Sequence, residues 1–159
     1  MPNPNTDFSA GATLLASQQN RLPRGVMAYA QSTANYTLTT SDVIATGMSV
    51  TWSAVADRYY RITYYEPLAN TPSAVSGLTN LSIKDTNAAG VTLQYGTVRT
   101  SSATPVSANV GVVLVATWTT SATRTLVGTG SVNVTTGTPL LQRDATYPAY
   151  MLVEDIGPI

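Results

Sequence analysis

"RYYRITYYEPL", residues 58–68, decides the fold class. Taken two residues at a time, it sets Tyr60, Ile62 and Tyr64 on one side against Tyr59, Arg61, Thr63 and Tyr65 on the other. Alternation of this kind, rich in Tyr and Thr, marks a strand with one face buried and one face open. The rhythm continues in both directions. "RGVMAYAQ" (24–31) opposes Val26, Ala28 and Ala30 to Met27 and Tyr29, and "GMSVTWSA" (47–54) turns Met48, Val50 and Trp52 to one side. "TNLSIKD" (79–85) buries Leu81 and Ile83, and "VTLQYGTV" (91–98) offers Val91, Leu93 and Tyr95. "VGVVLVATWTT" (110–120) offers Val110, Val112, Leu114, Ala116 and Trp118, and "TLVGTGSVNV" (125–134) offers Leu126, Gly128, Gly130, Val132 and Val134. "AYMLVED" (149–155) alternates Ala149, Met151 and Val153 with Tyr150 and Leu152.

The punctuation agrees with this reading. "DTNAAG" (85–90) and "TTSATR" (119–124) read as tight hairpin connections, and "EPLANTPSAVSG" (66–77) as a longer loop crossing between sheets. About eight strands with short connections predict an all-β antiparallel sandwich, jelly-roll-like in arrangement. The strand at 149–155 carries apolar residues on both faces, with Pro148 at its start where a missing N–H is tolerated, so it is expected inside a sheet. Residues 1–24 form a different region, an extended and helical anchor segment preceding a sandwich domain at 25–159. A helix over "TLLASQQN" (13–20) is too short to be stable alone. Its neighbourhood therefore needs a surface for Phe8, Leu14 and Leu15, the candidate partner anchor.

Composition excludes much chemistry. The 159 residues contain neither cysteine nor histidine, which removes thiol nucleophiles, disulfides, and the commonest acid–base catalyst and metal ligand. Eight basic and eight acidic residues cancel, with no basic cluster, so neither nucleic acid nor a membrane surface is an expected partner. No stretch has the pattern of a signal peptide or the length of a membrane span. Lys84 is the only lysine, and Asp57, Glu66, Glu154 and Asp155 read as solvated strand ends and loop caps. No catalytic constellation, metal site or cofactor is expected. Gly128 and Gly130 share a strand face, where a bulky neighbour or another subunit can approach closely.

Tyrosine is the functional signal in the composition. Nine Tyr stand against one Phe, and Tyr59, Arg61 and Tyr65 lie together on the predicted open side of one strand. Tyr and Arg are enriched in interfaces. These three are the candidate interaction residues. A carbohydrate-binding module, using this strand or Trp52 and Trp118 to stack on sugars, is the alternative.

"LPRGVMAYAQ" (22–31), "RYYRITYYEPL" (58–68), "GTGSVNV" (128–134) and "AYMLVEDIGP" (149–158) occur in an order that resembles small virion proteins of tailed bacteriophages infecting actinobacteria. "LPRG" and "VEDIGP" are the most specific parts, and "DFSAGATLLASQQN" (7–20) resembles the segment that often precedes such domains. The resemblance implies a non-enzymatic structural protein on the virion surface: a head-decoration, short head-fibre or minor tail protein. It would be made in the host cytoplasm, bound to other capsid or tail proteins, and assembled as a homo-oligomer, a trimer by preference. A host cell-surface glycan is the partner expected on the alternative reading, a carbohydrate-binding or host-receptor-binding module of a phage tail. No catalytic residue comes with the motifs.

Overall fold

The computed structural model describes residues 22–71, 77–100, 106–134 and 139–159. Ten strands follow one another: β1 (Gly25–Ser32), β2 (Tyr36–Thr37), β3 (Val43–Ala54), β4 (Arg58–Thr71), β5 (Gly77–Asp85), β6 (Thr92–Thr100), β7 (Val106–Thr117), β8 (Ala122–Val132), β9 (Leu140–Gln142) and β10 (Ala149–Pro158). All strand pairs are antiparallel. One sheet is built on β1-β10-β4, with β7 on the far side of β4 and the short β9 and β2 continuing beside β4; the other runs β3-β8-β5-β6. The sheets stack with β1 against β3 and β7 against β6. This is a jelly-roll sandwich, as the sequence predicts. The anchor segment and its Phe8, Leu14 and Leu15 lie outside the described residues.

The alternation names most of the core. Met48, Val50, Trp52, Tyr60, Ile62, Tyr64, Leu81, Ile83, Val110, Val112, Leu126, Val132, Ala149, Met151 and Val153 are all buried between the sheets. Burying such side chains stabilises the fold by about 1.5–3 kcal/mol each. β10 lies between β1 and β4, inside a sheet as expected. At Gly128 an added Cβ would stand 2.9 Å from the Tyr64 ring and 3.1 Å from Met48 Cβ, so the bulky neighbours foreseen for this face come from the chain's own core.

Several expectations fail for identifiable reasons. β6 faces the opposite way: Leu93 and Tyr95 (68% exposed) lie on its outer side while Val98 packs on the core, and Val91 is exposed just before the strand begins. The cause is the approach of β7. A Cβ at Gly96 would lie 3.1 Å from Val112 Cγ2, and no tyrosine fits in that space. In β1 a bulge between Val26 and Ala28 breaks the alternation and leaves Val26 exposed. The segment 119–124 is no hairpin, because β7 and β8 belong to different sheets. The predicted loop over 66–77 is shorter, since β4 continues to Thr71 through an irregularity between Glu66 and Ala69.

Two of the four acids are not solvated. Glu66 and Arg143 are sealed in the interior: Nε donates to Oε2 at 2.8 Å and Nη2 to Oε1 at 2.5 Å. Tyr64 donates its hydroxyl to the same carboxylate at 2.6 Å, and Arg143 Nη1 donates to the carbonyls of Ala34 and Thr46. Asp155 is equally buried, receiving Arg58 Nε at 2.5 Å and Nη2 at 2.8 Å, with the Gly157 N–H at 3.0 Å. A charge enters a core at tolerable cost only when paired and hydrogen-bonded in this way. Burial, together with the charge and hydrogen bond of Glu66, drives the Tyr64 phenol well above its ordinary pKa of 10.0.

Candidate interaction faces

The residues left on the outside of the β1-β10-β4-β7 sheet form ordered rows. Odd-numbered residues of β4 point outward, and the register sets Tyr150, Tyr65 and Gly111 side by side, then Leu152, Thr63 and Val113, then Glu154, Arg61 and Val115. Tyr29 on β1 stacks on Tyr150 with ring centroids 6.3 Å apart, and Tyr150 lies 5.3 Å from Tyr65. Tyr29, Val113 and Val115 are each more than half exposed. Arg61 donates to Glu154 at 2.9 Å, so the charges of the central rows are neutralised within the face.

Of the three residues picked from the sequence, Arg61 is exposed and Tyr59 and Tyr65 are half-buried. Arg61 and Tyr65 belong to the aromatic and aliphatic patch, whereas Tyr59 sits at its end beside Thr117 and Gly157. Sequence reasoning missed Tyr29, Tyr150, Val113 and Val115. The signal was present: each is the outward member of an alternating strand, and only the register shows that they meet. Trp52 and Trp118 do not form a platform for a ligand. Trp52 is 4% exposed, and the two indoles pack edge-on at 5.7 Å around Tyr60, with Arg124 placed 5.4 Å over Trp118.

The outer surface of the β3-β8-β5-β6 sheet is chemically different. Asn80, Ser82 and Lys84 of β5 and Thr129 and Ser131 of β8 point outward, flanked by Tyr95 and Thr97 of β6. Lys84 reaches Asp42 at 2.7 Å. Asp42 immediately precedes β3, and β8 lies between β3 and β5, so this ion pair passes over β8. It covers Thr129, which is fully buried although it points away from the core. Burial alone would raise the Asp42 pKa, but hydrogen bonds from Lys84 and Ser131 and the charge of Lys84 outweigh it and hold the carboxyl below its ordinary 3.8.

No cluster of three or more metal-ligating side chains and no helix long and apolar enough to cross a membrane occurs among the described residues. The chain matches no protein-family model and no curated protein. Among solved structures it is similar to the Eiger TNF of S. frugiperda, at TM-score 0.49 and 10% identity over 85% of this chain and 94% of that one. It is also similar to the infectious bursal disease virus Gt strain, at TM-score 0.43 and 12% identity over 86% of this chain and 43% of that one. The VP2 subviral particle of infectious bursal disease virus aligns at TM-score 0.34 and 12% identity over 78% of this chain and 37% of that one. Likeness at this level is one of outline and assigns no function.

Proposed function

We propose that the chain is a non-enzymatic structural protein of a bacteriophage virion surface that self-associates through the outer face of the β1-β10-β4-β7 sheet. The observation that carries the self-association is the continuous patch of Tyr29, Tyr150, Tyr65, Val113 and Val115, whose central ion pair is internal to it. Four strands about 4.8 Å apart and roughly six residues long at about 3.3 Å each give a face of about 400 Å². Patches of this size on a monomer are commonly functional, and two of them approach the roughly 1,000 Å² that a specific interface needs. A second copy suits the patch because no unpaired charge is buried when two such faces meet. The virion assignment is supported by the order of the "LPRG" and "VEDIGP" motifs. On this reading residues 1–24 attach the sandwich to another virion protein.

Sedimentation velocity at micromolar concentration tests the association. The native chain sediments as an oligomer, and the double variant Val113→Asp/Val115→Asp as a folded monomer. A native chain that is monomeric, or a double variant that still assembles, overturns it. Attachment is tested separately by deleting residues 1–20: the truncated chain folds but is lost from purified particles. Full incorporation would remove the anchor from the account.

A further inference from the structure

The polar surface of the second sheet contains a groove of about 260 Å³ lined by Asp42, Asn80, Ser82, Thr92, Tyr95 and Ser131. We infer that it binds one ring of a neutral sugar, with Tyr95 as the stacking surface and Asp42, Asn80 and Ser82 as hydrogen-bonding groups. Four observations converge on this ligand class. Tyr95 is 68% exposed and directly opposite Ser82 across the β5–β6 ladder, so its ring stands at the side of a hydroxyl-bearing floor. Asn80 accepts from Thr97 Oγ1 through Oδ1 at 2.8 Å, which fixes the carboxamide and leaves its NH₂ to donate. Asp42 is held ionised by Lys84 and Ser131 and has lone pairs left for the hydroxyls of a ligand. The Asp42–Lys84 pair balances its own charge, which favours a neutral ligand over an anionic or cationic one.

A sugar presents an apolar C–H face and a rim of hydroxyls. An amphipathic ring beside several fixed donors and acceptors matches that division. The volume lies below the roughly 300–1,000 Å³ of pockets that enclose drug-sized ligands, and the groove is open, so affinity for a single ring is expected to be weak. Binding useful to a particle would then come from several copies acting together. The groove lies on the sheet opposite the proposed contact face, so assembly would leave it accessible.

Saturation-transfer difference NMR on the full chain, with a panel of methyl glycosides of neutral hexoses and pentoses and with sialic acid as the charged control, tests the inference. At least one neutral glycoside is expected to receive saturation at its ring C–H protons, with sialic acid receiving none. Tyr95→Ala weakens binding roughly tenfold, and Tyr95→Trp retains it. Ser82→Ala reduces it without affecting the fold, as circular dichroism will check for every variant. Silence across the neutral panel, an equal signal from Tyr95→Ala, or a preference for sialic acid overturns the assignment.

Discussion

Among the described residues, the two outer faces of the sandwich each carry an ion pair and use it in opposite ways. On the β1-β10-β4-β7 sheet, Arg61 and Glu154 are direct cross-strand neighbours, and their pairing leaves a smooth surface of tyrosine and valine. On the β3-β8-β5-β6 sheet, Lys84 and Asp42 come from either side of β8, and their bridge covers Thr129 and bounds a groove. A charge pair within one rung of a sheet flattens it. One that spans strands gives it relief. The first arrangement suits contact over a wide area and the second suits recognition of a small polar ligand.

This contrast can be broken in measurable steps. The upper limit is set by the sealed pair between the sheets: Arg143→Ala leaves Glu66 buried without its partner and is expected to lower stability by about 3–5 kcal/mol in urea unfolding. A loss below about 1 kcal/mol would mean that water reaches this pair. Next comes Gly128→Val, which drives a side chain into Tyr64 and Met48 and is expected to cost about 1–3 kcal/mol by the same measurement. Lys84→Ala removes the bridge over Thr129 and is expected to cost about 1–2 kcal/mol, since a charge-assisted bond and a buried stem are both lost. Arg61→Ala, on the flat face, is expected to change stability by less than about 0.5 kcal/mol. If Lys84→Ala and Arg61→Ala prove equal, the two ion pairs are not structurally distinct.

Proton linkage gives the smallest and sharpest test. Asp42 titrates lower in the folded chain than its ordinary 3.8, so its contribution is fully present above that value and is lost as pH falls through the lowered one. The stability difference between the native chain and Asp42→Asn should hold at neutral pH and shrink once pH drops below 3.8. Tyr64 has the opposite sign: its raised pKa favours the folded state below pH 10.0, and that contribution fades as pH rises further. An alkaline loss of stability that persists in Tyr64→Phe would assign the effect to other groups.

What the sequence determined alone was the inward set of most strands. The two-residue period belongs to the extended backbone itself, so Tyr60, Ile62 and Tyr64, or Met151 and Val153, are found on one side without knowledge of any neighbour. It also carried Tyr65 and Arg61 to the open side, but not their company. Only the tertiary structure decided which strands share a sheet, and hence that Tyr29, Tyr150 and Tyr65 form one patch and that β7 and β8 form no hairpin. It also decided which way β6 faces, because the close approach of Val112 at Gly96 outweighs the apolar character of Leu93 and Tyr95. The buried acids follow the same logic. Glu66 and Asp155 occupy core-facing positions only because Arg143 and Arg58, distant in sequence, arrive there to neutralise them. Local periodicity fixes direction, whereas partners separated by dozens of residues are fixed by packing alone.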